Sequence, residues 1–197
     1  MFSGIIESVG KIVAIEDRGG DKRFTFDAGN MDLGDVKTGE SVAVNGVCLT
    51  VISHNEHQFS ADVSAETFSC TNFDSLENEN RVNLERSLKL SDRVHGHIVS
   101  GHVDGVATVR ERTMNANSER FIIECPAELM KYISKKGSIC IDGVSLTVNE
   151  KLQDTFTVNI IPYTLQETII SDYRKGSKVN IEVDLIARYL ESLMTSA

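Results

Sequence analysis

Apolar and polar residues alternate over short stretches along most of the chain. VAVNG at 42–46 and ICIDG at 139–143 each alternate, and each is followed at once by a segment ending in LTV. A polar residue followed by Gly between two such runs predicts a tight hairpin. QFSADV at 58–63, TFTVNII at 155–161, RVNLER at 81–86 and KVNIEV at 178–183 read as further strands. Strands of about five residues between Gly, Asn and Asp turns predict small closed β-barrels. Short helices are expected at 127–135 (AELMKYISK) and just after 64–66 and 161–163. The stretch 185–194, LIARYLESLM, has apolar residues at 185, 186, 189, 190, 193 and 194, which is helical spacing with one apolar stripe. That stripe must be buried either on its own barrel or at a subunit interface.

The strand pattern repeats. SVAVNGVCLTV at 41–51 matches SICIDGVSLTV at 138–148, an offset of 97. The same offset pairs Ser3-Gly4 with Ser100-Gly101, Arg23-Phe24 with Arg120-Phe121, and Phe59 with Phe156. It also pairs Thr67 with Thr164, and Val82-Asn83-Leu84-Glu85 with Val179-Asn180-Ile181-Glu182. No gap is needed, and chance does not hold one register over that distance. Two similar domains of about 100 residues follow. We place them at 1–97 and 98–184, with a terminal helix over 185–197. The join, HGHIVSGH at 95–102, lacks the composition of a flexible linker and is expected to be structured.

Composition narrows the function classes. The 197 residues carry a formal net charge of -9, with 41% hydrophobic and 25% charged residues. That is an ordinary globular composition, and the acidic balance argues against nucleic acid or an anionic membrane as main partner. No apolar run approaches the roughly 18 residues a membrane helix needs. The start, MFSGIIESVGKIVAIEDRGG, does not read as a secretory signal. Cys48, Cys70, Cys125 and Cys140 form no CxxC pair, so reduced thiols in the cytoplasm are the simplest reading. Residues 1–97 hold 9 basic and 16 acidic side chains, against 11 and 13 in 98–197, so copy two is better suited to support a developing negative charge.

The places where the copies disagree are the informative ones. Cys48 is matched by Ser145 within a shared G-V-[CS]-L-T-V pattern, Ile5 by His102, Gly39 by Lys136, and Ser87 by Asp184. Each difference puts a nucleophile, base or charge in one copy only. Cys48 reads either as an activated thiol or as a small buried hydrophobe. Ser145 and Thr147 share one strand face, which is either a ligand face or a solvated surface. His95, His97 and His102 form H-x-H-x4-H, open to structural, acid/base or metal roles, although no carboxylate motif or fourth ligand accompanies them. His54 and His57 lie in a polar loop and are expected to be solvated. Phosphate loops and a GxSxG elbow are absent, and the few aromatics argue against a base-stacking platform.

The motifs MFSGII at 1–6, NGVCLTV at 45–51, LERSLKLSDRVHGHIVSGHVDG at 84–105, LMKYISKKGSICIDGVSLTVN at 129–149 and VNIEVDLIARYLESL at 179–193 closely resemble the riboflavin synthases of the α-chain type, built from two lumazine-binding repeats. The resemblance covers essentially the full length. It implies two six-stranded Greek-key β-barrels plus a C-terminal α-helix, and a homotrimer held largely by that helix. It implies conversion of two molecules of 6,7-dimethyl-8-ribityllumazine into riboflavin and 5-amino-6-ribitylamino-uracil, with no metal or redox cofactor. Each active site is expected between the N-terminal barrel of one subunit and the C-terminal barrel of its neighbour. In some relatives the trimer sits inside a lumazine synthase shell. A non-catalytic lumazine- or flavin-binding antenna protein of the same fold is the rival reading, and a flavin-dependent reductase barrel a more distant one.

Carried over by position, the resemblance implies substrate contacts at Gly4, Ile5 and Ile6, at Cys48, Leu49 and Thr50, and at Asp62, Val63, Ser64, Ala65, Glu66 and Thr67 in copy one. In copy two it implies contacts at Gly101, His102 and Val103, at Lys136, at Ser145, Leu146 and Thr147, and at Asn159, Ile160, Ile161, Pro162, Tyr163 and Thr164. Turnover is tied to Phe2, Ser41, Cys48, His102, Ser145, Thr147 and Asp184. His102 and Thr147 are the expected proton-transfer residues, with Cys48 or Ser145 aiding addition at one ring. His95 departs from the pattern, which favours a smaller residue there.

Overall fold

The computed structural model describes residues 1–195. Copy one contributes β1 (Ser8–Asp17), β2 (Lys22–Asp27), β3 (Ser41–Val44), β4 (Val47–His54), β5 (Gln58–Val63), α1 (Ala65–Cys70) and β6 (Arg81–Arg86). Copy two contributes β7 (Gly105–Asn115), β8 (Ser118–Glu124), α2 (Ala127–Met130), β9 (Ser138–Ile141), β10 (Val144–Lys151), β11 (Thr155–Ile160), α3 (Pro162–Glu167), β12 (Lys178–Val183) and α4 (Leu185–Thr195). Each set of six strands closes into an antiparallel barrel, in the order β1-β2-β5-β4-β3-β6 and its equivalent β7-β8-β11-β10-β9-β12. Closure removes the sheet edges that would otherwise invite aggregation.

Local chemistry explains the matching register. Asn45-Gly46 and Asp142-Gly143 both take positive φ at their two central positions, 45° and 77° against 42° and 84°. This is the hairpin geometry whose twist suits flanking strands, and Asn, Asp and Gly tolerate it best. Bulges fall at equivalent places too, at Ile12/Ala14 and Val109/Glu111, and at Val51/Ser53 and Val148/Glu150. The interiors differ in filling. Barrel one packs Phe24, Phe26, Phe59 and Phe73, whereas barrel two relies on Phe121, Phe156 and a set of Ile and Val residues.

A buried polar seam joins the barrels. Asn83 donates from its backbone to Asn45 Oδ1 (2.8 Å) and from Nδ2 to Asp142 O (2.8 Å), and its Oδ1 accepts from Ile169 N (2.8 Å). Asn180 makes the mirror set with Asp142 Oδ1 (2.7 Å), Asn45 O (2.9 Å) and Asn72 N (2.8 Å). The pseudo-twofold is broken at Asp142, which stands where copy one has Asn45. Its Oδ2 accepts from Tyr173 Oη at 2.5 Å, and Tyr173 occupies the position of Leu76. Burial pushes the Asp142 carboxyl up to about 7 despite these bonds.

Three details depart from the sequence pattern. The helix expected over 127–135 stops after Met130, because the chain must turn back through Lys136, at φ 68°, to enter β9. The strand expected over 155–161 ends at Ile160, where Ile161 becomes the N-cap of α3 and Pro162 opens that helix. The α4 stripe does not cover its own barrel: Ile186, Tyr189, Leu190, Leu193 and Met194 are all more than half exposed. Arg188 ties the helix back to Asp104 at 2.7 and 2.8 Å, and Glu191 meets Lys131 and Tyr132. Residues 196 and 197 of the expected terminal helix lie outside the described residues. The four cysteines are free, with Cys125 and Cys140 buried, while His54 and His57 are exposed.

Candidate functional site

The strands fix which side chains face out. Along β4, Val47, Leu49 and Val51 fill the barrel, so Cys48 and Thr50 point outward. Along β10, Val144 and Val148 are buried, while Ser145 and Thr147 face the outer surface. Leu49 is buried and Leu146 packs partly against the core of barrel two, so each serves the walls behind those faces.

Both outer faces are met by the opposite copy. Gly4 O accepts from Ser145 N at 2.8 Å, and Gly101 O accepts from Cys48 N at 2.9 Å. The sequence grouping is thereby crossed: Gly4, Ile5 and Ile6 lie along barrel two's Ser145, and Gly101, His102 and Val103 along barrel one's Cys48. These approaches demand glycine. Gly4 and Gly101 have φ of 76° and 81°, and a side-chain carbon at either would lie 2.6 Å from Cβ of Ser145 or Cys48. Buried carboxylates hold the two loops. Glu85 accepts from Ser3 N, Ser3 Oγ and Gly4 N at 2.7, 2.9 and 3.0 Å. Glu182 accepts from Ser100 N, Ser100 Oγ and Gly101 N at 2.6, 2.7 and 2.9 Å. Desolvation raises the pKa of both carboxyls against the pull of these donors.

The asymmetric residues have distinct surroundings. Cys48 packs against Phe2, Ala43, Val99 and Cys140, an apolar cluster at the seam. Phe2 is fully buried and bridges to Val99, so it braces this cluster. Ser145 instead lies 2.6 Å from His97 Nδ1. His102 is exposed, with its amide bonded to Ser100 Oγ at 3.2 Å. Asp184 heads α4, where its Oδ1 accepts from Ile186 N at 2.9 Å. Among the described residues no three His, Cys, Asp or Glu side chains converge as metal ligands.

Two clefts open on the surface. One, of about 740 Å³, runs between the N-terminal segment and the strap after β6, and is lined by Ile5, Ser41, Arg86, Ser87, Arg93 and His95 among others. The other, of about 580 Å³, is lined by Lys136, Asn159, Arg120, Lys135 and Thr157 among others. In copy one the equivalent of Asn159 is Asp62, locked bidentate to Arg23 at 2.8 and 2.9 Å. In copy two Arg120 turns to Glu150 at 2.7 Å, and Asn159 Oδ1 and Thr157 Oγ1 are buried without a partner. Unpaired buried acceptors facing a cleft are positioned for a ligand donor. Val63 lies inside barrel one and Ile160 inside barrel two, whereas Ser64, Ala65, Glu66, Ile161, Pro162 and Tyr163 are exposed. Thr67 and Thr164 are half-buried on α1 and α3, the short helices that follow β5 and β11. Gly96 is a participant the sequence pattern did not single out, and His97, noted there only as part of a histidine pattern, meets Ser145. At the repeat offset Gly96 and His97 pair with Leu193 and Met194, which lie in the terminal helix α4, where the strand register of the repeat no longer runs.

Comparison with known proteins gives a consistent result. The lumazine binding domain family matches residues 3–87 and 100–184, the same offset as the internal repeat. A riboflavin synthase of Photobacterium phosphoreum is 46% identical over 194 residues, covering 98% of this chain and 89% of that one. Those of Bacillus subtilis and Mycobacterium tuberculosis are 41% and 43% identical, each covering 100% of this chain and 91% and 100% of the relative. Among solved structures, LumP complexed with 6,7-dimethyl-8-(1'-D-ribityl) lumazine superposes with a TM-score of 0.84 at 28% identity, and LumP complexed with riboflavin with 0.85 at 30%. Each covers 93% of this chain and 99% of the other.

Proposed function

The chain belongs to the riboflavin synthase family of two lumazine-binding repeats, and from that membership we propose that it transfers a four-carbon unit between two molecules of 6,7-dimethyl-8-ribityllumazine. The products are riboflavin and 5-amino-6-ribitylamino-uracil. The observation that carries this reading is the pair of matched outer faces that differ at the reacting position, Cys48 in one and Ser145 in the other. Two copies of one substrate suit two similar faces, and a reaction with one donor and one acceptor requires that the faces differ.

The chemistry asks little of the protein in base strength. The 7-methyl group of the lumazine is acidic because the conjugated ring delocalises its anion. The protein must hold two rings face to face and stabilise charge as bonds form. The segments 62–67 and 159–164 bind the heterocycles, with Lys136 and the Asn159 amide on the copy-two ligand. His102 and Thr147 transfer protons, and Ser41 and Asp184 support the two faces. Cys48 or Ser145 aids addition at one ring. Phe2, being buried, acts by positioning Cys48 and Gly101.

The exposed stripe of α4 supports a homotrimer in which barrel one of one subunit meets barrel two of the next. The division of labour follows: 1–97 and 98–184 bind lumazine and 185–197 associates. The free thiols support a cytoplasmic setting. Association with lumazine synthase rests on the resemblance alone and is read out by co-elution. A lumazine-binding antenna needs one good pocket, whereas here both copies keep their Gly clamps and G-V-[CS]-L-T-V shells.

Anaerobic incubation of the purified protein with 6,7-dimethyl-8-ribityllumazine tests the reading. Equal amounts of riboflavin and the diaminouracil are expected. Tight binding without product would defeat it.

A further inference from the structure

His97 is the last residue of copy one, and at the repeat offset it pairs with Met194 in α4, so the histidine occurs in one copy only. The strap after β6 carries His97 across to the outer face of barrel two. There its amide donates to Ser3 O at 3.2 Å, and its Nδ1 lies 2.6 Å from Ser145 Oγ. The preceding Gly96 makes this approach possible. A side-chain carbon there would lie 2.2 Å from Ser3 O, 2.7 Å from Ser145 Cβ and 2.8 Å from Ser145 Oγ. Glycine therefore lets the strap press directly onto Ser145. Cys48, at the matched position, packs against the apolar cluster of Phe2, Ala43, Val99 and Cys140.

We propose that His97 is a positioning residue for Ser145, its Nδ1 accepting the Ser145 hydroxyl hydrogen and aiming the oxygen at the lumazine held by copy two. This rests on the reading of Ser145 as the group that aids addition. As Oγ bonds to an electron-poor ring carbon, the pair of the ring C=N bond retreats onto nitrogen and the hydroxyl proton passes to Nδ1. Collapse of the adduct returns the proton to oxygen. The surroundings suit the role. Desolvation lowers the His97 pKa below its ordinary 6.5, so the imidazole is neutral at neutral pH with a lone pair to offer. Asp184, at the head of α4, is the charged group that acts on it, and it pulls weakly in the opposite direction. His95 shares the strap but lines the cleft beside Ser41.

The test compares full-length H97L, H97N, S145A and S145A/H97L with the unaltered protein in steady-state turnover of 6,7-dimethyl-8-ribityllumazine, from about pH 5 to pH 8. H97L and S145A are each expected to lower kcat about 100-fold with KM nearly unchanged. The double variant should be no slower than the slower single one, because both remove the same device. H97N should retain more activity than H97L, since its amide oxygen can accept the hydroxyl. It should also lose the acid limb of the pH profile. Should H97L misfold, S145A/H97N carries the same comparison. Unchanged kcat in H97L, an H97N no more active than H97L, or losses that multiply in the double variant, would overturn the proposal while riboflavin production by the unaltered protein still stood. Failure of the unaltered protein to make riboflavin would remove the underlying activity as well.

Discussion

Replacing Asp142 by Asn should make the protein more stable, and increasingly so as pH rises. Asp142 lies in the seam between barrels with 1% exposure. Burial raises its carboxyl from an ordinary 3.8 to about 7. Between those values the unfolded chain has released the proton while the folded chain still holds it. Stability is therefore fully present below about pH 4 and is lost as pH rises through about 7. A rise of about 3 units corresponds to roughly 4 kcal/mol at the alkaline plateau. The Asn variant keeps an oxygen for the Asn180 amide, and copy one uses Asn45 at the same place. Its amide must then face Tyr173 Oη, which changes from donor to acceptor at about the cost of one imperfect hydrogen bond. Glu85 and Glu182 also have raised pKa values, but they are common to both proteins and cancel in the difference. Urea unfolding at one fixed protein concentration, from about pH 5 to pH 8, measures that difference. It should grow in favour of the variant by about 2–3 kcal/mol across the range and flatten above pH 7. A difference that stays constant with pH, or shrinks, would refute the account of Asp142 as a buried carboxyl held protonated by desolvation.

Three further outcomes are expected. L190E places a charge in the exposed apolar stripe of α4; sedimentation should show loss of the proposed homotrimer and turnover should fall with it, while each barrel stays folded by circular dichroism. G101A forces a side chain to within 2.6 Å of Cys48 Cβ from a backbone at φ 81°; about 2 kcal/mol or more of stability should be lost, and Cys48 should react faster with a thiol reagent. E182A strands the Ser100 amide, the Ser100 hydroxyl and the Gly101 amide; thermal unfolding should report a loss of about 3 kcal/mol, and activity should fall further than stability because the Gly101 loop no longer abuts Cys48.

The repeat, its gapless offset and the alternating strands were enough to determine two small β-barrels, because closure of short amphipathic strands depends on local pattern and on the Asn45-Gly46 and Asp142-Gly143 turns. The same comparison of copies singled out Cys48, Ser145, His102, Lys136 and Asp184, since asymmetry between equal halves is written in the chain. Where helices end was not legible: the turn at Lys136 and the N-cap at Ile161 answer to the need to re-enter a barrel, which no local propensity encodes. Nor was the crossed clamp legible, in which Gly4 serves Ser145 and Gly101 serves Cys48. Those contacts join residues far apart in sequence, and they depend on how the pseudo-twofold seam seats one barrel on the other. His97 shows the limit most clearly. Its sequence neighbourhood offered only a histidine pattern, and only the packing of Gly96 against Ser3 and Ser145 decided which hydroxyl its ring would meet.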